Sequence, residues 1–145
     1  MARLGAVTAL LAALVGAMVL AGCTSVTDVK VGDCFDGGAE GQQVIAVTPV
    51  DCAKPHEKEA FSVFDYQGAG DAYPGQVALD AAAEERCRRD FQAYVGIDYD
   101  SSKLGILYFT PSEESWKAGD HEITCAITAE DAAQKLTGSK RGTRE

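Results

Sequence analysis

Five cysteines, one of them closing an apolar N-terminal run, constrain this chain more than any other feature. Met1 to Leu4 carries one cation, Arg3, and Gly5 to Ala21 then runs without a charge through Ala, Leu, Val and Met. A charged start and an apolar middle make a secretory signal; a membrane-spanning helix of about 20 apolar residues is the rival reading. Leu20-Ala21-Gly22-Cys23 favours the signal, because small residues just before a cysteine match a bacterial lipoprotein cleavage site. There the Cys23 thiol is acylated and becomes the new first residue. An ordinary small-residue cleavage motif would leave the cysteine count odd, which in an exported protein asks for an explanation. Lipidation sets Cys23 aside and leaves Cys34, Cys52, Cys87 and Cys125 as an even set. Two or more acyl chains, at about 0.8 kcal/mol per buried methylene, hold a protein stably. The expected place is therefore the cell membrane, lipid-anchored, on its extracytoplasmic face.

On this reading residues 1–22 are a signal peptide, 23–29 a short tether, 30–128 one domain and 129–145 a frayed basic tail with Lys135, Lys140, Arg141 and Arg144. The part after the signal is long enough for a single core. The formal net charge is −9, and losing Arg3 makes it one unit more negative. So acidic a body repels nucleic-acid phosphates, which excludes nucleic acid as a partner; otherwise the acidity describes a well-solvated surface.

Val29 to Phe35 reads as a short strand ending in a turn, followed by a loop at Gly37-Gly38 and Gly41. Gln43 to Val50 has strand composition, with Pro49 placing it at an edge or a strand end. Ala60 to Tyr66 alternates, with Phe61, Val63 and Asp65 on one face and Ser62, Phe64 and Tyr66 on the other. From Gln76 the period turns helical: Leu79, Ala83, Cys87, Phe91 and Tyr94 form one stripe, and Gly96 supplies a stop. Leu104 to Phe109 is a β-like run closed by Pro111, and Ser112 to Asp120 a hydrophilic turn holding the sole tryptophan, Trp116. His121 to Thr128 alternates again, with Ile123, Cys125 and Ile127 on one face. Cys87 and Cys125 then face one core and are natural partners, which leaves Cys34 with Cys52, although four cysteines permit three connectivities. The expected fold is α+β: a small antiparallel sheet of four or five strands, one docked amphipathic helix and two disulfides.

His56 stands near Glu57 and Glu59, and His121 precedes Glu122, but two histidines without a repeated spacing do not announce a zinc site. Asp98 to Ser102 opens like a calcium loop and fails, with no glycine at the sixth position and Phe109 at the twelfth. No spacing singles out a carboxylate pair for glycoside hydrolysis. There is no Gly-x-Ser-x-Gly elbow, and with four thiols in disulfides and the fifth acylated no free thiolate remains for catalysis. The glycines at 37, 38 and 41 precede no Lys-Ser or Lys-Thr pair and make no phosphate loop. Neither metal nor cofactor is expected. Trp116 is either an exposed recognition aromatic or, as a lone tryptophan in a small domain more often is, core.

The ordered set Val31-Gly32-Asp33-Cys34-Phe35, Val50-Asp51-Cys52, Pro55-His56 with Glu59, Cys87, Tyr94-Val95-Gly96, Pro111, Ser115-Trp116, Gly119-Asp120, Cys125 and Leu136-Thr137-Gly138-Ser139 resembles the septum formation domain family of actinobacterial envelope proteins. That resemblance implies a non-enzymatic protein with structural cysteines and no catalytic residue to carry over. The expected function is an anchored binding module connected with septum formation or the cell wall, its partners envelope or division proteins or wall polymer. His56, Glu59 and Trp116, with the Ser112 to Asp120 loop, are its candidate binding residues. The alternatives are a lipoprotein that captures a small ligand or metal and, further off, a cell-wall hydrolase or transferase.

Overall fold

The computed structural model describes residues 22–38, 43–68, 70–131 and 133–145. The signal reading of residues 1–21 lies outside them. Six strands, β1 (Thr24–Ser25), β2 (Cys34–Asp36), β3 (Ala46–Val50), β4 (Lys58–Asp65), β5 (Leu104–Phe109) and β6 (Glu122–Ala129), form one sheet in the order β1-β3-β2-β4-β6-β5, each pair antiparallel. Two α-helices, α1 (Gln76–Val95) and the short α2 (Glu113–Lys117), and two 3-10 turns, Val26–Asp28 and Tyr99–Ser101, are the other elements of the described residues. The α+β class and the single main helix agree with expectation; the strand number is six rather than four or five. The excess comes from the N-terminus, where Thr24 and Ser25 pair with Val47 and Ala46. A strand of two residues is too short to show alternation, so these residues read as a tether.

Helix α1 forms because its apolar side chains recur on one stripe between good helix formers. Leu79, Ala83, Cys87, Phe91, Tyr94 and Val95 are all buried. Gly96 ends the helix at φ 88°, its N–H bonded to Gln92 O. That left-handed conformation suits glycine. The stripe packs on Phe61, Ile123, Cys125 and Ile127 of the central strands, and Cys87 is bonded to Cys125. The opposite face of the sheet carries a smaller core of Val29, Phe35, Val47, Ala60 and Ala126, with Val44 and Phe109 against it. Cys34 is bonded to Cys52, tying β2 to the loop that leads into β4.

The β4–β6 pairing slips between Ala60, opposite Ala126, and Ser62, opposite Cys125. Phe61 is the extra residue of a β-bulge, which shifts the side-chain parity of everything after it. Phe61 packs in the helix-side core, and beyond the slip Phe64 and Tyr66 pack against that same core while Ser62 Oγ donates to Asp90 of α1 at 2.6 Å. The expected separation of Phe61 from Ser62, Phe64 and Tyr66 therefore does not hold.

Two further segments depart from expectation. Ser112 to Asp120 contains α2, started by a capping box in which Ser112 and Ser115 each bond the other's backbone N–H. Trp116 is 3% exposed, stacks on His121 at 4.0 Å and donates its indole N–H to Asp71 O at 3.1 Å. It is core, and not a recognition aromatic. The segment read as a frayed tail is docked: Leu136 is buried and forms a β-bridge with His56, Gly142 N–H bonds Tyr94 O, and Arg144 N–H bonds Val95 O.

Candidate functional site

Asp51 turns the chain after β3, its carboxylate accepting from Ala53 N–H and its carbonyl from Lys54 N–H. This delivers His56 to the mouth of β4, where its N–H and C=O pair with Leu136 at 3.0 and 2.8 Å. The imidazole points inward, fully buried, as does Glu59 three positions on. Both were expected on a binding surface; the bridge to Leu136 and the strap that follows cover them instead.

Glu59 is the centre of the buried cluster. Its Oε1 accepts from Tyr94 Oη–H and Ser139 Oγ–H, each at 2.6 Å, and its Oε2 accepts from Lys140 N–H at 2.7 Å. The Arg141 guanidinium lies 4.4 Å over the Tyr94 ring. Burial, followed by the hydrogen bond to Glu59 and its negative charge, pushes the Tyr94 hydroxyl up to about 12. Three donors from helix and strap converge on one carboxylate, so the pieces hold each other.

The His56 ring has Nδ1 at 2.8 Å from Lys54 O, and donates there. Nε2 is buried and has no hydrogen-bond partner among the described residues. A ring nitrogen of His56, a carboxylate oxygen of Glu59 and the Cys34 sulfur lie within 4.8 Å of one another, all three residues buried. At the rim of this corner Lys135 Nζ reaches Asp36 at 2.7 Å and Glu57 at 3.9 Å. Burial pushes the Asp36 carboxyl up, but hydrogen bonds from Lys135 and Glu57 N–H outweigh it and hold the group below its usual range. The Glu57 carboxyl is lowered chiefly by the hydrogen bond from Gly37 N–H.

On another side of the molecule a groove of about 620 Å³ follows the end of β5. It touches the consecutive residues Ile106 to Thr110, and Ser25 to Thr27 and Gln43 to Ile45 form part of its wall. It also touches Glu122 and Thr124 of β6, so it runs beside the end of both strands. Strand β5 ends the sheet, and Ile45 on the rim is 76% exposed. Asp80, Asp120 and Glu122 supply carboxylates. Desolvation, then the neighbouring charge of Asp120, raises the Glu122 carboxyl, with Asp65 and Asp28 adding to it.

A model of the septum formation family matches residues 21–144. This chain belongs to that family. The chain is also similar to two uncharacterized membrane proteins of Mycobacterium tuberculosis, one from each of two strains, both 32% identical over 100 residues. The match covers 68% of this chain and 22% of each relative, so the chain spans about a fifth of the length of the curated relatives it matches. No solved structure matches. Among the described residues no helix is long and apolar enough to cross a membrane.

Sequence reasoning brought forward His56 and Glu59 and missed Tyr94, Ser139 and Lys140 as the partners of Glu59. Tyr94 reads from the sequence only as part of the apolar helix stripe, and Leu136-Thr137-Gly138-Ser139 only as a mark of the family, so neither announces a partner for Glu59.

Proposed function

We propose that this chain is a non-catalytic, lipid-anchored envelope module that binds a protein or wall component on the extracytoplasmic face during septum formation, with Cys23 as the acylated residue. The observation that carries the reading is the groove beside β5, part of whose wall, Ser25 to Thr27, begins two residues after Cys23. Membership of the septum formation family and the membrane-protein names of the relatives support the setting. Two disulfides suit a compartment outside the cytoplasm. A groove of this length can seat an extended segment, and the carboxylates about it favour one that brings positive charge.

The test is the position of a fluorescent fusion in growing cells. The wild type is expected at midcell; Cys23→Ala is expected to leave the membrane, and Glu122→Lys to stay on the membrane and lose midcell enrichment. A uniform rim for the wild type overturns the septal reading, and unchanged enrichment of Glu122→Lys removes the groove from it.

A further inference from the structure

We propose that reduction of the Cys34–Cys52 disulfide converts the His56 corner into a divalent-metal site, suited to zinc, built from Cys34, Cys52, His56 and Glu59. The donor set is the first argument. A carboxylate offers about four acceptor positions; the three donors Tyr94, Ser139 and Lys140 leave one on Oε2 of Glu59. With Nδ1–H given to Lys54 O, the ring nitrogen left for a ligand is Nε2, the buried atom without a partner among the described residues. A histidine whose second nitrogen is fixed by a carbonyl is the arrangement metal-ligating histidines use. An unfilled carboxylate acceptor position, an unpartnered ring nitrogen and a sulfur meet in one buried corner, a donor set that suits a cation.

The sulfurs are the second argument. While they are bonded to each other they are poor ligands; as thiolates they are strong ones for zinc. Cys34 is 3% exposed and its sulfur is within 4.8 Å of the His56 and Glu59 ligand atoms. Cys52, at 2.04 Å from Cys34 through the S–S bond, is half-buried and the more exposed of the two. Zinc ligands at about 2.0–2.3 Å from the ion stand roughly 3.5 Å apart in a tetrahedral shell. Closing such a shell draws the Cys34, His56 and Glu59 ligand atoms about 1 Å closer together, while the two sulfurs, 2.04 Å apart in the disulfide, move apart to about that same spacing so that Cys52 supplies the fourth ligand.

The step needs two electrons, and a dithiol reductant supplies them. Its thiolate attacks Cys52 Sγ, the S–S bond breaks, and the electron pair leaves on Cys34 Sγ. The reductant's second thiol then displaces Cys52 and closes the reductant's own disulfide. Metal binding afterwards releases whatever thiol protons remain. Cys87–Cys125 is fully buried at both ends and stays closed under the same treatment.

The experiment uses the full chain in detergent, opened with dithiothreitol, desalted anaerobically and titrated with cobalt(II). One cobalt per chain is expected, with the intense visible bands of a tetrahedral site and thiolate-to-cobalt charge transfer, and neither in the oxidised protein. His56→Ala is expected to weaken binding by more than about 100-fold, beyond the 10- to 100-fold of an outer-shell partner. Reduced wild type without these bands, or His56→Ala with unchanged bands and affinity, overturns the proposal. X-ray absorption of the zinc-loaded wild type does not depend on a variant folding. Two sulfur and two lighter ligands are expected, and a shell of four sulfurs overturns the assignment.

Discussion

Glu59 is the residue on which the fold's two halves meet. Removing one partner of a buried, hydrogen-bonded charge costs about 3–5 kcal/mol, and Glu59→Ala strands three donors at once. A loss in that range is expected in urea unfolding, with Glu59→Gln intermediate because an amide oxygen still accepts. Tyr94→Phe removes one hydrogen bond to a charged acceptor and is expected to cost about 1.5–3 kcal/mol. The raised Tyr94 hydroxyl has a definite sign. A phenol that ionises near 10 when unfolded and at about 12 when folded stabilises the native state below pH 10, and that stabilisation is lost as the pH climbs through 12. Alkaline absorbance titration should show one tyrosine ionising last, and that step should vanish in Tyr94→Phe.

At the scale of elements, what the sequence displays depends on length and isolation. The α1 stripe and the alternation of β6 run over enough residues to declare both period and face, and with them the Cys87–Cys125 pair. The bulge at Phe61 is invisible because a single inserted residue leaves composition unchanged and alters only parity. The strap is invisible because Leu136 is a lone apolar residue amid polar neighbours, so nothing periodic marks it as buried. Its attachment responds to acid. Asp36 and Glu57 have folded values below their ordinary 3.8 and 4.5, so their contribution is present above those values and lost as the pH falls further, through the folded ones. Hydrogen exchange at the His56 and Leu136 amides should accelerate over that fall before α1 loses protection. Cys87→Ala with Cys125→Ala, which opens a 38-residue separation, is expected to cost about 3–4 kcal/mol.

For the molecule as a whole, α1 covers one face of the sheet, the N-terminal segment covers the other, and the strap closes the end where α1 stops. Truncation before Leu136 tests that closure. Losing the Ser139 and Lys140 bonds to Glu59 removes about 3 kcal/mol or more, and Cys34–Cys52 should become reducible at lower dithiothreitol in the shortened chain than in the intact one. Wild-type resistance in the truncated protein would mean that the strap does not shield the corner.

The strap also sets an order of events. Ser139 and Lys140 stand 80 and 81 positions after the carboxylate they satisfy, and a chain is made from its N-terminus at about 5–20 residues per second. For several seconds in every molecule's history, His56, Glu59 and the two nearby sulfurs have emerged while the segment that will cover them has not. The last residues to be made are therefore the ones that close the corner over His56 and Glu59.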